Sequence, residues 1–334
     1  MTSLKSGVKL TLMKKISLYV FLVLMFCNLG QSSELPICDG NDFTKYTNCF
    51  GSYTNNDGRT YIGEFGNNPG KRDGIGYSGK VNLPLKYLGE FKNDKPFGKG
   101  AFLSSDGKPK RIIYSVTIDG NPEGFVIEKK PRKNHFDMSF AEVKNGSHEG
   151  KVIYIYSNGQ VVSGLFKNGK LIQDQSLKEC DRNKNFQTYD NCQLVYGIIH
   201  SVDGSKYGDD PKNFKGFIYS GEFQNGKPNG FGLIIAQMPN DQKIEYMGQV
   251  KNGYRDGMGS LTWIEFGDEH IGNFKNEAPH GEGMRIMYSK EGIREFTRFG
   301  SWKNGKEHGK GFVIDEISKI MWHDEYNNGE RVSN

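Results

Sequence analysis

The chain has 334 residues, which is enough for two domains of ordinary size or for one long repeat array. Its formal net charge is +5, and the segment 1–33 holds four lysines and no acidic residue. The rest of the chain is therefore near neutral, which disfavours a nucleic-acid partner. Glycine is abundant with 44 residues, while only 35% of all residues are hydrophobic and 13% are aromatic. This composition favours many short β elements that bury aromatic rings.

Residues 1–33 predict a secretory signal peptide. Two lysines precede an apolar run, Ile16–Leu29, and small residues follow it, so cleavage is expected after Ser32 or Ser33. A membrane anchor is the alternative, but 14 helical residues span only about 21 Å. A lipoprotein signal would use Cys27, but such signals have a small residue before the cysteine and here it is a phenylalanine. The segment predicts a periplasmic or extracellular protein.

Four cysteines follow that segment, and an even number in an exported chain predicts disulfides. A tyrosine lies three residues before Cys49 and again three residues before Cys192, so one short motif occurs twice. The predicted pairs are therefore Cys38–Cys49 and Cys180–Cys192, each worth about 3 kcal/mol of stability in the loop-entropy model. A zinc site is the alternative, but neither pair has the ligand spacing of a zinc knuckle.

A pattern of ring, glycine and ring recurs along the chain, and the segment 219–232 serves as its template. Two rings flank a glycine at alternate positions, Asn225-Gly226 follows, and a Gly-x-Gly pair ends the unit. In the second half, successive units start 27, 24, 28 and 24 residues apart. The ring positions are Tyr61, Phe65, Tyr87, Phe91, Tyr219, Phe223, Tyr246, Phe274 and Trp302. The glycine positions are Gly63, Gly89, Gly98, Gly100, Gly221, Gly230, Gly232, Gly248, Gly257, Gly259, Gly272, Gly281, Gly283, Gly300, Gly309 and Gly311.

This pattern resembles the MORN repeat, whose signature is Tyr-x-Gly-x-(Phe/Trp)-x-x-Gly-x-x-x-Gly-x-Gly. The resemblance covers about 61–329. The cysteine-bearing leader before each array also resembles one found in exported bacterial MORN proteins. The resemblance implies a link to phosphoinositide membranes, and arrays of this family accompany the catalytic domains of some plant phosphatidylinositol-phosphate kinases.

The residues alone predict one β-hairpin per repeat. Positions 219, 221 and 223 share one strand face, and Asn225-Gly226 is a strong signal for a two-residue turn. A single hairpin is marginal in water, so successive hairpins are expected to stack and bury the rings between them. The predicted fold is all-β, an elongated antiparallel hairpin array (a MORN solenoid or meander) without a central globular core.

The positions of the cysteines predict two tandem arrays, 34–176 and 177–334, each opened by a disulfide-bridged cap. The stretch from Cys192 to Phe217 is expected to pair onto the first hairpin of the second array. The alternative is one uninterrupted hairpin ribbon that carries the second cysteine pair near its middle.

No residue pattern predicts a catalytic, cofactor or metal site. The Gly-x-Gly-x-x-Gly match at 74–79 consists of the repeat's own glycines and precedes no helix start. His280 and His308 occupy equivalent places before repeat glycines, and we expect both to lie beside a hairpin turn and to be partly exposed. Glu64, Glu90 and Glu222 fall on the strand face opposite to the rings and predict a solvated face. The rings themselves predict structural burial, with a platform for glycans or acyl chains as the alternative.

The function that these observations favour is a non-catalytic exported scaffold that binds a protein or an envelope component. The alternative is a repeat protein that binds membrane lipids or glycans, although a near-neutral charge weakens attraction to anionic lipids. An enzyme is disfavoured because kinase motifs are missing and repeats occupy the room that a kinase domain would need.

Overall fold

A computed structural model describes residues 35–80, 85–104, 112–118, 120–131, 136–195, 216–237, 243–265, 267–289, 294–318 and 320–332. The predicted signal segment 1–33 lies outside the described residues, as does most of the stretch from Cys192 to Phe217. The described part consists of β-strands and two short 3-10 turns, Phe43–Lys45 and Phe186–Thr188. The predicted all-β class is confirmed.

The strands form two antiparallel sheets of eleven strands each, and within a sheet every strand pairs with its neighbours in sequence. The first sheet comprises β1 (Cys49–Thr54), β2 (Arg59–Phe65), β3 (Arg72–Lys80), β4 (Leu85–Lys92), β5 (Lys95–Ser104), β6 (Ile112–Ile118), β7 (Asn121–Pro131), β8 (Phe136–Lys144), β9 (Ser147–Ile155), β10 (Val161–Lys167) and β11 (Lys170–Asp174). The second comprises β12 (Cys192–Leu194), β13 (Gly216–Gln224), β14 (Lys227–Gln237), β15 (Lys243–Lys251), β16 (Tyr254–Trp263), β17 (Glu269–Lys275), β18 (Ala278–Tyr288), β19 (Arg294–Lys303), β20 (Lys306–Asp315), β21 (Met321–Asn327) and β22 (Glu330–Arg331).

Each of the tight hairpin turns described here begins with an asparagine, which tolerates a positive φ. Asn225 and Gly226 have φ values of 52° and 71°, as a two-residue turn with positive φ at both positions requires. The same turn geometry recurs at Asn252-Gly253 and Asn304-Gly305. In two turns an acidic residue takes the second place, and Asp94 and Glu277 have φ values of 71° and 76°.

Each sheet begins with a disulfide-bridged leader. Cys38 is bonded to Cys49 and Cys180 to Cys192, which are the predicted pairs. The second cysteine of each leader lies opposite the phenylalanine of the first repeat, with Cys49 opposite Phe65 and Cys192 opposite Phe223. The leaders thus cover the first hairpin of each sheet, where the edge strand would otherwise stay open.

The two faces of each sheet have different partners. Within β4, Tyr87 and Phe91 point to one face, which we call the ring face, and Leu88 points to the other, which we call the inner face. The inner faces of both sheets contribute to one hydrophobic cluster, and the rings of Phe140 and Phe231 meet there with centroids 5.3 Å apart. The expectation of an array without a central core is therefore wrong. In the strands between the sheet edges, apolar residues alternate with the repeat's rings and glycines, so these strands also bury their second face, whereas β11 and β22 are exposed.

Polar contacts fix how the inner faces align. The contacts are Glu64 with His323 at 3.0 Å, Lys99 with Glu282 at 2.6 Å, Lys129 with Glu269 at 2.8 Å, and the Val161 amide with the Gln193 side-chain oxygen at 2.7 Å. These contacts join β2 to β21, β5 to β18, β7 to β17, and the start of β10 to β12. The strands of the two sheets thus face each other in reverse order, so the chain folds back at the junction between the sheets.

Candidate functional site: the ring face and the turn edge

The tyrosine of each strong repeat lies over a pair of glycines on neighbouring strands. Gly89 and Gly100 face each other across β4 and β5, and a Cβ on Gly100 would lie 2.3 Å from the Tyr87 hydroxyl oxygen. That hydroxyl donates to the Glu90 carbonyl at 3.0 Å. The equivalent hydroxyl donates in the same way in three other repeats, those of Tyr61, Tyr219 and Tyr246. The glycine pair is thus required by the ring that covers it.

The rings of successive repeats form an edge-to-face ladder. Tyr61 meets Phe65 of its own repeat at 5.4 Å and Phe91 of the next repeat at 5.2 Å, and Tyr246 meets Phe274 at 5.1 Å. All nine ring positions singled out from the sequence are buried, with at most 4% of each side chain exposed. Such ring pairs contribute about 0.5–1.5 kcal/mol beyond the area that they bury. The ladder therefore holds neighbouring hairpins together and leaves these rings little surface for a ligand.

The glutamates opposite the rings have a structural role. A side-chain oxygen of Glu64 accepts the Ile75 amide at 2.9 Å, and one of Glu222 accepts the Phe231 amide at 2.7 Å. Gln249 accepts the Met258 amide in the same way at 2.7 Å. The interpretation of this strip as a solvated face is wrong at Glu64, which is 6% exposed, because these positions lie on the inner face. Each oxygen satisfies an amide at the bulge where the register shifts.

Three repeats of the second sheet lack the tyrosine, and the last of them has Trp322 in its place. His270 takes the tyrosine's place in one and Arg298 in the next, and the His270 ring meets Phe274 at 5.3 Å and Trp302 at 4.6 Å. Arg298 crosses to Asp324 on β21 with two hydrogen bonds of 2.9 and 3.0 Å. Asp324 itself stands where other repeats have a glycine, directly opposite Gly311.

Burial leaves His270 uncharged. Its side chain is 1% exposed, and desolvation, reinforced by Arg285 and Arg298, lowers the pKa of His270 to about 3. Among the residues that the structure describes, neither ring nitrogen has a hydrogen-bond partner. A neutral imidazole carries one donor and one acceptor, so both capacities are unused here.

A cleft opens on the ring face beside His270. Trp263 and Trp302 lie on its walls, and Ile244, Leu261 and Pro279 add apolar surface. Arg255, Glu277 and Arg285 supply its charged groups. An imidazole is smaller than the phenol that occupies the same position in four other repeats.

Hairpin turns of both sheets lie along one edge of the molecule, which we call the turn edge. Lys129 and Glu269, which are in contact, both lie near the strand ends that are remote from a turn, so the turns of β6–β7 and β17–β18 lie on the same side. Exposed lysines flank the turns of this edge. They are Lys92, Lys95, Lys144, Lys167, Lys170, Lys227, Lys251, Lys275, Lys303 and Lys306.

His280 and His308 belong to the turn edge. The Nδ1 atom of His280 accepts the backbone amide of Asn304 at 3.4 Å, and that of His308 accepts the amide of Asn328 at 3.3 Å. Glu149 does the same for Asn168 at 2.8 Å. These histidines thus tie one turn to the next and are partly buried.

Among the described ranges, no cluster of three or more histidine, cysteine or acidic side chains has the geometry to hold a metal ion. His135 and His200 lie outside them. Within those ranges, no helix has the length and the apolar character that crossing a bilayer would need.

Comparison with known families identifies the repeats. The family model of the MORN repeat matches residues 87–108, 219–235, 246–264 and 299–313. These ranges overlap the hairpins β4–β5, β13–β14, β15–β16 and β19–β20. The hairpin that carries His270, β17–β18, is not within the matched ranges.

Two relatives give the extent of the similarity. Alsin of Rattus norvegicus is 28% identical over 153 residues, and Alsin of Homo sapiens is 28% identical over 151 residues. Each match covers 43% of this chain and 9% of the relative, so the chain spans less than a tenth of the length of these curated relatives.

Proposed function

We propose that this chain, with its MORN repeats, is a non-catalytic exported scaffold that presents a regular surface to a protein or an envelope component. The observation that supports this is the turn edge. The ring faces and inner faces are occupied largely by the chain's own side chains, whereas the turns and their lysines are exposed at regular intervals. Neighbouring turns are about 10 Å apart, since two strand spacings separate them.

The proposed organisation is two arrays, 34–176 and 177–334, that fold back on each other after removal of residues 1–33. Two disulfides favour an oxidising compartment. Labelling of cysteine thiols in cells tests this export. The full chain should resist labelling at Cys38 and Cys180, and a variant without residues 1–33 should become labelled. Equal labelling of both forms would count against export.

Site-specific photo-crosslinking tests the scaffold role. A crosslinking side chain at Lys251 lies on the turn edge, and one at Glu265, which is also exposed, follows the opposite end of β16. We expect one discrete adduct in native envelopes from position 251 and none from position 265. Adducts of equal yield from both positions, or none from either, would refute a role for the turn edge.

A second candidate function is binding to anionic membrane lipids, because the exposed lysines are concentrated on one edge although the net charge is small. Co-sedimentation with vesicles of neutral lipid, with and without about 20% anionic lipid, separates the two functions. Saturable, salt-sensitive pelleting with the anionic vesicles would favour the lipid role. Turnover of ATP that depends on a single repeat residue would overturn the non-catalytic assignment.

A further inference from the structure

The cleft beside His270 has features that the scaffold role does not use. Its floor includes an imidazole that is 1% exposed and makes no hydrogen bond within the described ranges. A buried polar group without a partner destabilises the fold, because it has lost its hydrogen bonds to water and gained none in return. In four other repeats the tyrosine hydroxyl avoids that cost by donating to a backbone carbonyl. The cost at His270 is offset if a ligand supplies the missing partner.

Two arginines of the cleft also keep unused donors. The buried Nη1 of Arg255 and the buried Nε of Arg285 have no acceptor among the described residues. The Arg285 guanidinium lies 5.3 Å from the centre of the Trp263 ring, which orders both side chains. Together with the imidazole, these groups leave several donors and one acceptor unsatisfied around the cleft.

Both arginines of the cleft already have carboxylate partners. Arg255 pairs with Glu277 at 2.6 Å, and Arg285 lies 3.9 Å from both Asp268 and Glu307. An anionic guest would meet these three carboxylates, which outnumber the two arginines, so an uncharged guest is favoured over an anionic one. The remaining lining is apolar and includes two indole rings.

We propose that this cleft binds one neutral sugar ring of a glycan. A pyranose combines an apolar C–H face, which packs on an indole, with hydroxyls that both donate and accept hydrogen bonds. Trp263 packs against the sugar ring, and His270 and Arg285 bond its hydroxyls. This site goes beyond the scaffold role, because a repeat surface that binds a protein needs no small-molecule cleft.

The three tryptophans of the chain make the test direct. They give three indole N–H signals in a two-dimensional NMR spectrum, and Trp→Phe variants assign them. The full chain is titrated with methyl glycosides of glucose, galactose and mannose and with N-acetylglucosamine. We expect saturable shifts of the Trp263 and Trp302 signals with at least one sugar, while Trp322, which lies outside the cleft, stays unchanged.

Two variants and one matched control complete the experiment. Trp263→Ala should raise the dissociation constant at least about tenfold, and Trp322→Ala, which removes another partly buried indole, should leave it unchanged. His270→Tyr restores the repeat's phenol, and it should abolish binding while the melting temperature stays the same or rises. If either Trp263→Ala or His270→Tyr fails to fold, the other variant still tests whether the cleft binds the sugar.

Two probes of other chemistry are run in parallel. Acetate tests for an anion site, and p-cresol tests for a receptor of a partner's tyrosine ring. Shifts at Trp263 with either probe but with no sugar would overturn the proposal. So would the absence of a Trp263 shift with every sugar up to about 50 mM, a concentration at which even a complex with a millimolar dissociation constant would form.

Discussion

Arg298 and Asp324 depart from the repeat together and form a buried ion pair. Arg298 replaces the tyrosine of one repeat, and Asp324 replaces the first glycine of the next. Their side chains are 4% and 1% exposed, and the guanidinium also lies 5.0 Å from the Trp302 ring and 5.1 Å from the Tyr326 ring. Each departure alone would leave a buried charge without a partner.

A double-mutant cycle tests this compensation. Arg298→Tyr or Asp324→Gly alone should destabilise the chain by about 3–5 kcal/mol, because each leaves the other charge buried and unpaired. The double variant restores the tyrosine and the glycine and should be close to the wild type in urea unfolding. Additive losses in the double variant would show that the two positions act independently.

Lys129 and Glu269 test whether the two sheets pack face to face. Both side chains are 4% exposed, and Glu269 also accepts the Ser260 hydroxyl at 2.6 Å. Lys129→Met alone should destabilise by about 3–5 kcal/mol, and Lys129→Met with Glu269→Leu should destabilise less than that. A loss below about 1 kcal/mol for the single variant is expected only of an exposed pair and would contradict the packing.

Gly100 tests the fit between the tyrosine and the glycine pair. Gly100→Ala should cost about 1–3 kcal/mol, because its Cβ would overlap the Tyr87 ring. In a Tyr87→Ala background the same substitution should cost much less, since the ring is gone. Thermal melts of the four proteins give the coupling energy, and an equal cost in both backgrounds would place the strain elsewhere.

His270 predicts a dependence of stability on pH. Its pKa in the folded chain, about 3, lies below the ordinary value of 6.5, so below pH 6.5 the unfolded chain takes up a proton that the folded chain does not. The contribution of His270 is therefore complete above that pH and declines as pH falls, by about 1.4 kcal/mol per unit.

The control for this pH effect is His270→Tyr. Between pH 6.5 and 5, the wild type should lose about 2 kcal/mol relative to this variant in urea unfolding. Because all other titrating groups are shared, the difference between the two curves isolates His270. Parallel curves would mean that the imidazole is accessible to protons in the folded state.

The strands, their turns and the cysteine pairs were predictable because each has a local signal. Rings and glycine alternate in Tyr219-x-Gly221-x-Phe223, and Asn225-Gly226 encodes its turn in two residues. The inner face carries no comparable repeat. Leu88 and Met247 lie where other strands have different apolar residues, so the sequence does not reveal that this face has a second sheet as its partner.

The candidate site was predictable only in part. His270 and Arg298 are visible in the sequence as departures from tyrosine, but the cleft also depends on Trp263, which lies beyond the repeat signature in its hairpin. The role of Glu222 had a signal, since Glu or Gln recurs between glycine and ring. The bulge amide that it accepts became evident only from the register of the strands.

The fold-back has a consequence for how this chain can change in length. The first hairpin of one sheet meets the last hairpin of the other, as the contact between Glu64 and His323 shows. A gene duplication that inserted one hairpin into a single array would leave it without a partner opposite and would displace every later pairing. Lineages that lengthen this chain should therefore gain hairpins in both halves together.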